Sequence, residues 1–291
     1  MLVVSTASIL IRVGQAQGAA SITIAAFRLG IAAIILTPFA LRASPRIVAR
    51  DLWLALASGG LLAIHFWSWI TSLAHTSVAS STALVTTNPL WVGLASLLLF
   101  RERMAPALLS GIALCLGGTV LIFLSDRSAV SHVPGGDPLL GNALALIGAV
   151  AASGYLLIGR ALRSRLSLLT YVWLAYSAAA VVLWVGVGFS GAPVRGLSVI
   201  AYLCMLGLAL GPQLLGHTAF NWSLRHLSAT FVAVSILGEP IGSALLAWLL
   251  FAERLAPAHL LGFGLTLAGI ALSARAQVQT PAAPDATARP R

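Results

Sequence analysis

The segment from Asn88 to Leu121 recurs without a gap from Glu239 to Leu272. About half the aligned positions are identical, among them Pro89/Pro240, Phe100/Phe251, Glu102/Glu253, Arg103/Arg254, Pro106/Pro257, Gly111/Gly262 and Gly118/Gly269. Biased apolar composition pairs Leu with Leu and Ala with Ala, but it does not align prolines, acids and glycines. The chain is therefore a duplication, and its fold must be buildable from two copies of one unit.

The unit is a membrane one. Hydrophobic residues make up 59% of the chain and charged residues 8%, whereas a soluble domain is about a quarter charged. Apolar runs fall at about 1–13, 19–41, 52–74, 80–100, 106–124, 139–160, 168–189, 197–220, 229–251 and 257–275. All but the first are long enough to cross a hydrocarbon core of about 30 Å as a helix. The expected fold is an all-α polytopic membrane protein of ten transmembrane helices. Residues 1–125 and 139–276 form its two five-helix repeats, and residues 277–291, lacking an apolar face, form a disordered tail. Thirteen residues of helix reach only about 20 Å, while the partner run from Leu139 to Arg160 is full length. The first helix is thus expected to lack about ten residues upstream.

The net charge of +10 does not point to nucleic acid, because the arginines sit in short connections with no exposed aromatics between them. Arg42, Arg46, Arg50, Arg101, Arg103, Arg160, Arg163, Arg165, Arg225 and Arg275 fall on one side of the membrane, and only Arg12, Arg127, Arg195 and Arg254 on the other. The positive-inside rule makes the first side cytoplasmic, with both termini inside a bacterial inner membrane. Five helices is an odd number, so the second repeat enters inverted. The shared Glu102-Arg103 and Glu253-Arg254 pairs then lie on opposite faces, which favours a structural role in the helical hairpins that Pro106 and Pro257 begin. Cys115 and Cys204 are isolated in apolar runs, and no metal site or cofactor is expected. The partners expected are a small-molecule substrate and the lipid bilayer, the chain acting as a monomer or weak homodimer.

Two five-helix units, each with a Pro in its fourth helix, a Glu-Arg hairpin and a Gly-rich fifth helix, resemble the EamA-type permeases of the drug/metabolite transporter superfamily. HFWSWITSLAHTSVASSTALVTTNPLW and HTAFNWSLRHLSATFVAVSILGEP carry the resemblance, and Arg28 in the second helix matches the family pattern. It spans about Ser5 to Ala276. The resemblance implies ten helices around a central cavity, the fifth and tenth peripheral, and export or exchange of small metabolites, often amino acids.

Polar side chains in mid-membrane are functional candidates because lipid penalises them. Glu239, the only acid deep in a span, corresponds to Asn88; each precedes a proline, Pro240 and Pro89, that frees a backbone carbonyl. Glu239 serves as a substrate-amine, proton or cation site, or else as a hydrogen-bonded tie between the halves. Arg28 suits a substrate carboxylate, or else pairs with Glu239 or caps a broken helix. His65, Ser68, Trp69 and Ser72 share a face of the third helix, and Gln213, His217 and Asn221 a face of the eighth, after a Gly211-Pro212 break. At an offset one residue larger than downstream, His65 falls on His217 and Gly59 on Gly211. Trp67, Trp69 and Tyr155 offer rings for stacking, or simply pack. The cavity is expected among the third, fourth, eighth and ninth helices.

An enzyme is not expected: Gly188-Phe189-Ser190-Gly191 fits a serine-protease string only by chance, and neither a zinc motif nor a nucleotide-binding loop is present. The expected function is gradient-driven alternating access, exporting small metabolites such as amino acids. A proton-coupled exporter of cationic drugs is the alternative within transport. Outside it, a membrane scaffold would pack its helices shut.

Overall fold

The computed structural model describes residues 2–43, 47–100, 105–127, 135–251 and 257–279. All regular elements there are helical: α1 Leu2–Ser5, α2 Ala7–Ala16, α3 Ser21–Ala43, α4 Ala49–Ser72, α5 Val78–Val85, α6 Asn88–Phe100, α7 Pro106–Arg127, α8 Pro138–Arg163, α9 Leu168–Ser190, α10 Val199–Leu208, a π-helical segment Ala209–His217, α11 Thr218–Ser223, α12 Ala229–Ile236, α13 Glu239–Phe251 and α14 Pro257–Gln279. The paired Glu-Arg residues 102–103 and 253–254, and residues 280–291 of the expected tail, lie outside the described residues. Six stretches are long and apolar enough to span a bilayer: Ser21–Ala43, Ala49–Ser72, Pro138–Arg163, Leu168–Ser190, Val199–Ser223 and Ala229–Phe251. Leu2–Ala16, Pro106–Leu121 and Leu260–Ser273 are shorter apolar helices. Large apolar side chains such as Ile34, Leu98, Val181, Leu203 and Leu249 point outward, a surface suited to lipid rather than water.

Several expected helices are broken, and the breaks are local chemistry. The fourth and ninth runs both stop three residues before a proline-led helix resumes, at Val85 and Ile236. Pro89 and Pro240 occupy the second position of α6 and α13, where a missing N–H costs nothing. Equivalent serines start the two preceding helices: Ser77 Oγ accepts from the Ser80 amide and Ser228 Oγ from the Phe231 amide. The eighth run is interrupted by the π-helical segment, which contains Gly211 and Pro212.

Contacts exchange between the halves as a two-fold axis requires. Ser5 Oγ donates to Glu239 O (3.3 Å), and Ser153 Oγ donates to Asn88 O (3.4 Å). Aligned Cys115 and Thr266 meet each other at 3.4 Å, and the His65 and His217 rings lie 6.2 Å apart. Between α7 and α14, a Cβ on Gly111 would come within 2.7 Å of Gly269 O. The reciprocal pair, Gly118 against Gly262 O, is equally tight. Only glycine lets these backbones approach so closely. The seam leaves α7 and α14 outside the central cavity, to which neither contributes a lining residue.

Candidate functional site

The cavity forms where the breaks meet. Asn88 and Glu239, the first residues of α6 and α13, face it together with Arg28 of α3, His65 and Trp69 of α4, Tyr155 of α8 and His217 at the end of the π-helical segment. Phe220 and a set of small or aliphatic side chains complete the wall. Beyond the third, fourth, eighth and ninth helices expected to line it, Val4 and Ala7 of the first helix also reach the wall, and Ala152 and Leu156 join Tyr155 from the sixth. The cavity among these residues is narrow, about 30 Å³. That is room for roughly two waters, so a metabolite enters only if the walls part.

Arg28 is fully buried. Its Nε donates to Gln213 Oε1 at 2.8 Å, and its Cζ lies 3.9 Å from the centre of the Phe66 ring. Nη1 and Nη2 are buried without a hydrogen-bond partner. The expected alternative of an Arg28–Glu239 ion pair is not realised, since no such pair forms within 4.0 Å; among the described residues the ion pair is Arg165–Asp51, at 2.8 Å. A guanidinium and a carboxylate therefore face one narrow space without touching. An unpaired buried charge is costly, and a ligand bearing both opposite charges would relieve it.

The two proline-preceding residues differ in kind. The Asn88 amide, in the orientation its surroundings satisfy, donates to Val85 O at 2.9 Å and Ala149 O at 3.2 Å. It repairs a carbonyl next to its own helix break. An ionised carboxylate accepts only and cannot do this, so Glu239 cannot repair its break in that way.

His65 Nδ1 lies 2.9 Å from Gly148 O. A carbonyl only accepts, so this nitrogen carries the proton and Nε2 is left as an acceptor. The His65 ring stacks on Trp69 at 6.0 Å, and His217 packs edge-on against Phe66 at 5.1 Å and Phe220 at 5.6 Å. The Trp69 Nε1 is buried and unpartnered.

Other expected members stand elsewhere. Gln213 is behind Arg28, not at the cavity surface. Asn221 is one layer back as well: its Nδ2 donates to Tyr155 Oη at 2.5 Å and to His217 O at 2.7 Å. Ser68 and Ser72 share the His65 face but bond Ile64 O and Trp69 O respectively. Trp67 points outward, 47% exposed. Behind Tyr155 the Tyr171 ring stacks at 6.3 Å, and Tyr171 Oη shares a hydrogen bond of 2.7 Å with Ser58 Oγ. Ser190 Oγ donates to Val187 O at a helix end, away from the site.

The model of the EamA-like transporter family matches residues 1–124 and again residues 139–275. No curated protein matches the chain. A solved chain described as "Crystal structure of protein" superposes with a TM-score of 0.71 at 19% identity, over 97% of this chain and 98% of its own. At that identity the likeness shows a shared fold. With two successive matches to one family over apolar helices of spanning length, this chain belongs to the EamA-like transporter family, as a multi-pass integral membrane protein of the drug/metabolite transporter superfamily.

Proposed function

We propose that the protein exports small zwitterionic metabolites such as amino acids. Ten spans in two inverted five-helix repeats, residues 1–125 and 139–276, would alternate access to the cavity, in a bacterial inner membrane with both termini cytoplasmic. One observation carries the reading: the two unpartnered Nη groups of Arg28 and the Glu239 carboxylate face the same cavity without pairing. A substrate carboxylate fits the guanidinium, for which two-point binding of planar anions is the strongest arrangement. Its ammonium fits Glu239, which then also holds a coupling proton or cation in the absence of substrate. A lipophilic cation would satisfy Glu239 but would set a second positive charge beside Arg28, which disfavours the drug-export alternative. Opposite charges held apart around a cavity also favour transport over a scaffold.

Proteoliposomes loaded with an unlabelled L-amino acid mixture and offered the radiolabelled mixture test this. The parent should exchange label, and Arg28→Ala and Glu239→Gln should each reduce exchange at least about tenfold, the loss of one charge-assisted contact. Parental exchange in both variants would refute the proposal.

A further inference from the structure

The guanidinium of Arg28 is held at Nε and on one of its faces. Gln213 Oε1 occupies Nε, and Phe66 covers one face of the plane. Only the far edge, with Nη1 and Nη2, remains without a partner. A guanidinium can take a carboxylate side-on through Nε and one Nη, or end-on through both Nη groups. With Nε occupied, only the end-on mode is open.

Gln213 stands where it does because of the π-helical turn. It lies in the middle of Ala209–His217, directly after Pro212. Proline has no N–H to donate, and the i→i+5 pattern admits an extra residue into the turn. In the first half the aligned position is Leu61, within the unbroken α4, and its side chain packs towards Gly154. The counterpart of α3, the span α9, carries no charged residue at all. The arginine thus lies in the first half of the duplication and its glutamine support and π-helical turn in the second, while the symmetry-related positions, in α9 and at Leu61 of α4, have none of the three.

We propose that Gln213 is a positioning residue: presented by the π-helical turn, it fixes Arg28 so that the cavity takes its substrate's carboxylate end-on at Nη1 and Nη2. This rests on the reading of Arg28 as carboxylate receiver. It also couples substrate to shape, because any rewinding of the π-helical turn withdraws Gln213, frees Nε and loosens the grip on the carboxylate.

The test uses the full chain in lipid nanodiscs with heavy-nitrogen-labelled arginine. Besides the buried Nε–H that Arg163 donates to Asn221 O, the parent should show a side-chain Nε–H exchanging at least about tenfold more slowly than those of the loop arginines, absent from Arg28→Lys and fast in Gln213→Met. Proteoliposomes offered the radiolabelled L-amino acid mixture give the second readout. Gln213→Met should raise the half-saturating concentration about tenfold while changing maximal rate less than about twofold. Gln213→Glu keeps the length and the acceptor, so the slow Nε–H should persist while half-saturation rises further, its carboxylate competing for the charge meant for substrate. Parental half-saturation in both Gln213 variants, beside a raised value in Arg28→Ala, would overturn the positioning role and leave the carboxylate reading standing. An unaltered value in Arg28→Ala would overturn that reading itself. If the parent takes up no label, the amino-acid proposal falls, and the Nε–H exchange rates still decide the positioning: a fast Arg28 Nε–H in the parent overturns it.

Discussion

The two fourth-helix breaks share their proline, their serine caps and a serine bonded to the residue before the proline, but differ in the side chains just before that proline. On the first side Thr82 Oγ1 donates to Val78 O at 2.7 Å, Thr86 Oγ1 to Thr82 O at 2.7 Å and Thr87 Oγ1 to Leu84 O at 2.8 Å, while Asn88 donates to two further carbonyls. On the second side the aligned residues are Ala233, Leu237, Gly238 and Glu239. One break is stitched by side-chain donors. The other has no donor at the aligned positions, although Ser235 Oγ donates to Phe231 O at 3.0 Å, and it presents a carboxylate to the cavity. Duplication supplied one architecture twice, and the copies have diverged into a break rich in donors and a break that carries an acid.

The largest effect that can break this comparison is at Glu239. Glu239→Gln keeps the shape and removes the charge, and uptake should fall by about a hundredfold while thermal stability holds. Asn88→Leu should behave in the opposite way. It strands Val85 O and takes one donor from Ala149 O, which keeps Ser153 Oγ, so unfolding in detergent should become easier by about 1–3 kcal/mol, while folded protein retains uptake within about fivefold of the parent. Grafting the stitches across gives an intermediate effect: Leu237→Thr with Gly238→Thr should slow maximal uptake about threefold with half-saturation unmoved. Gly238 is not among the positive-φ glycines, so threonine fits its backbone. The smallest expected change is Thr87→Gly, about 1 kcal/mol of stability from the hydroxyl's lost bonds to Leu84 O and from Trp91 Nε1 and a freer backbone. Equal losses of uptake at Glu239 and Asn88 would mean that the two breaks do one job.

Much of this was legible in the chain. Aligned prolines located both breaks to the residue, because proline's missing N–H acts locally whatever surrounds it. Arg28, His65, Trp69, Asn88, Tyr155, His217 and Glu239 all reach the cavity, since polar side chains avoid lipid and turn to the middle. Helix one, and all of helix six but Tyr155, escaped because their parts of the wall are Val4, Ala7, Ala152 and Leu156, which read as packing. Their equivalence emerges only in space, through Ser5 and Ser153 bonding opposite breaks. Helical spacing placed Gln213 and Asn221 on the His217 face, but the π-helical turn changes the residues per turn and sets both one layer back. A Gly-Pro pair announces a disturbance in a helix without saying which kind.

The central claim is that one substrate bridges Arg28 and Glu239 by its two opposite charges. Inhibition of radiolabelled amino acid uptake by L-alanine, L-alaninamide and N-acetyl-L-alanine, in proteoliposomes of the parent protein, tests it most directly. The three share a side chain and differ in which charge they keep. The intact zwitterion should compete at least about tenfold better than either derivative, each having lost one charge-assisted contact. Equal competition by L-alaninamide would show that the carboxylate is not bound, and would contradict the account.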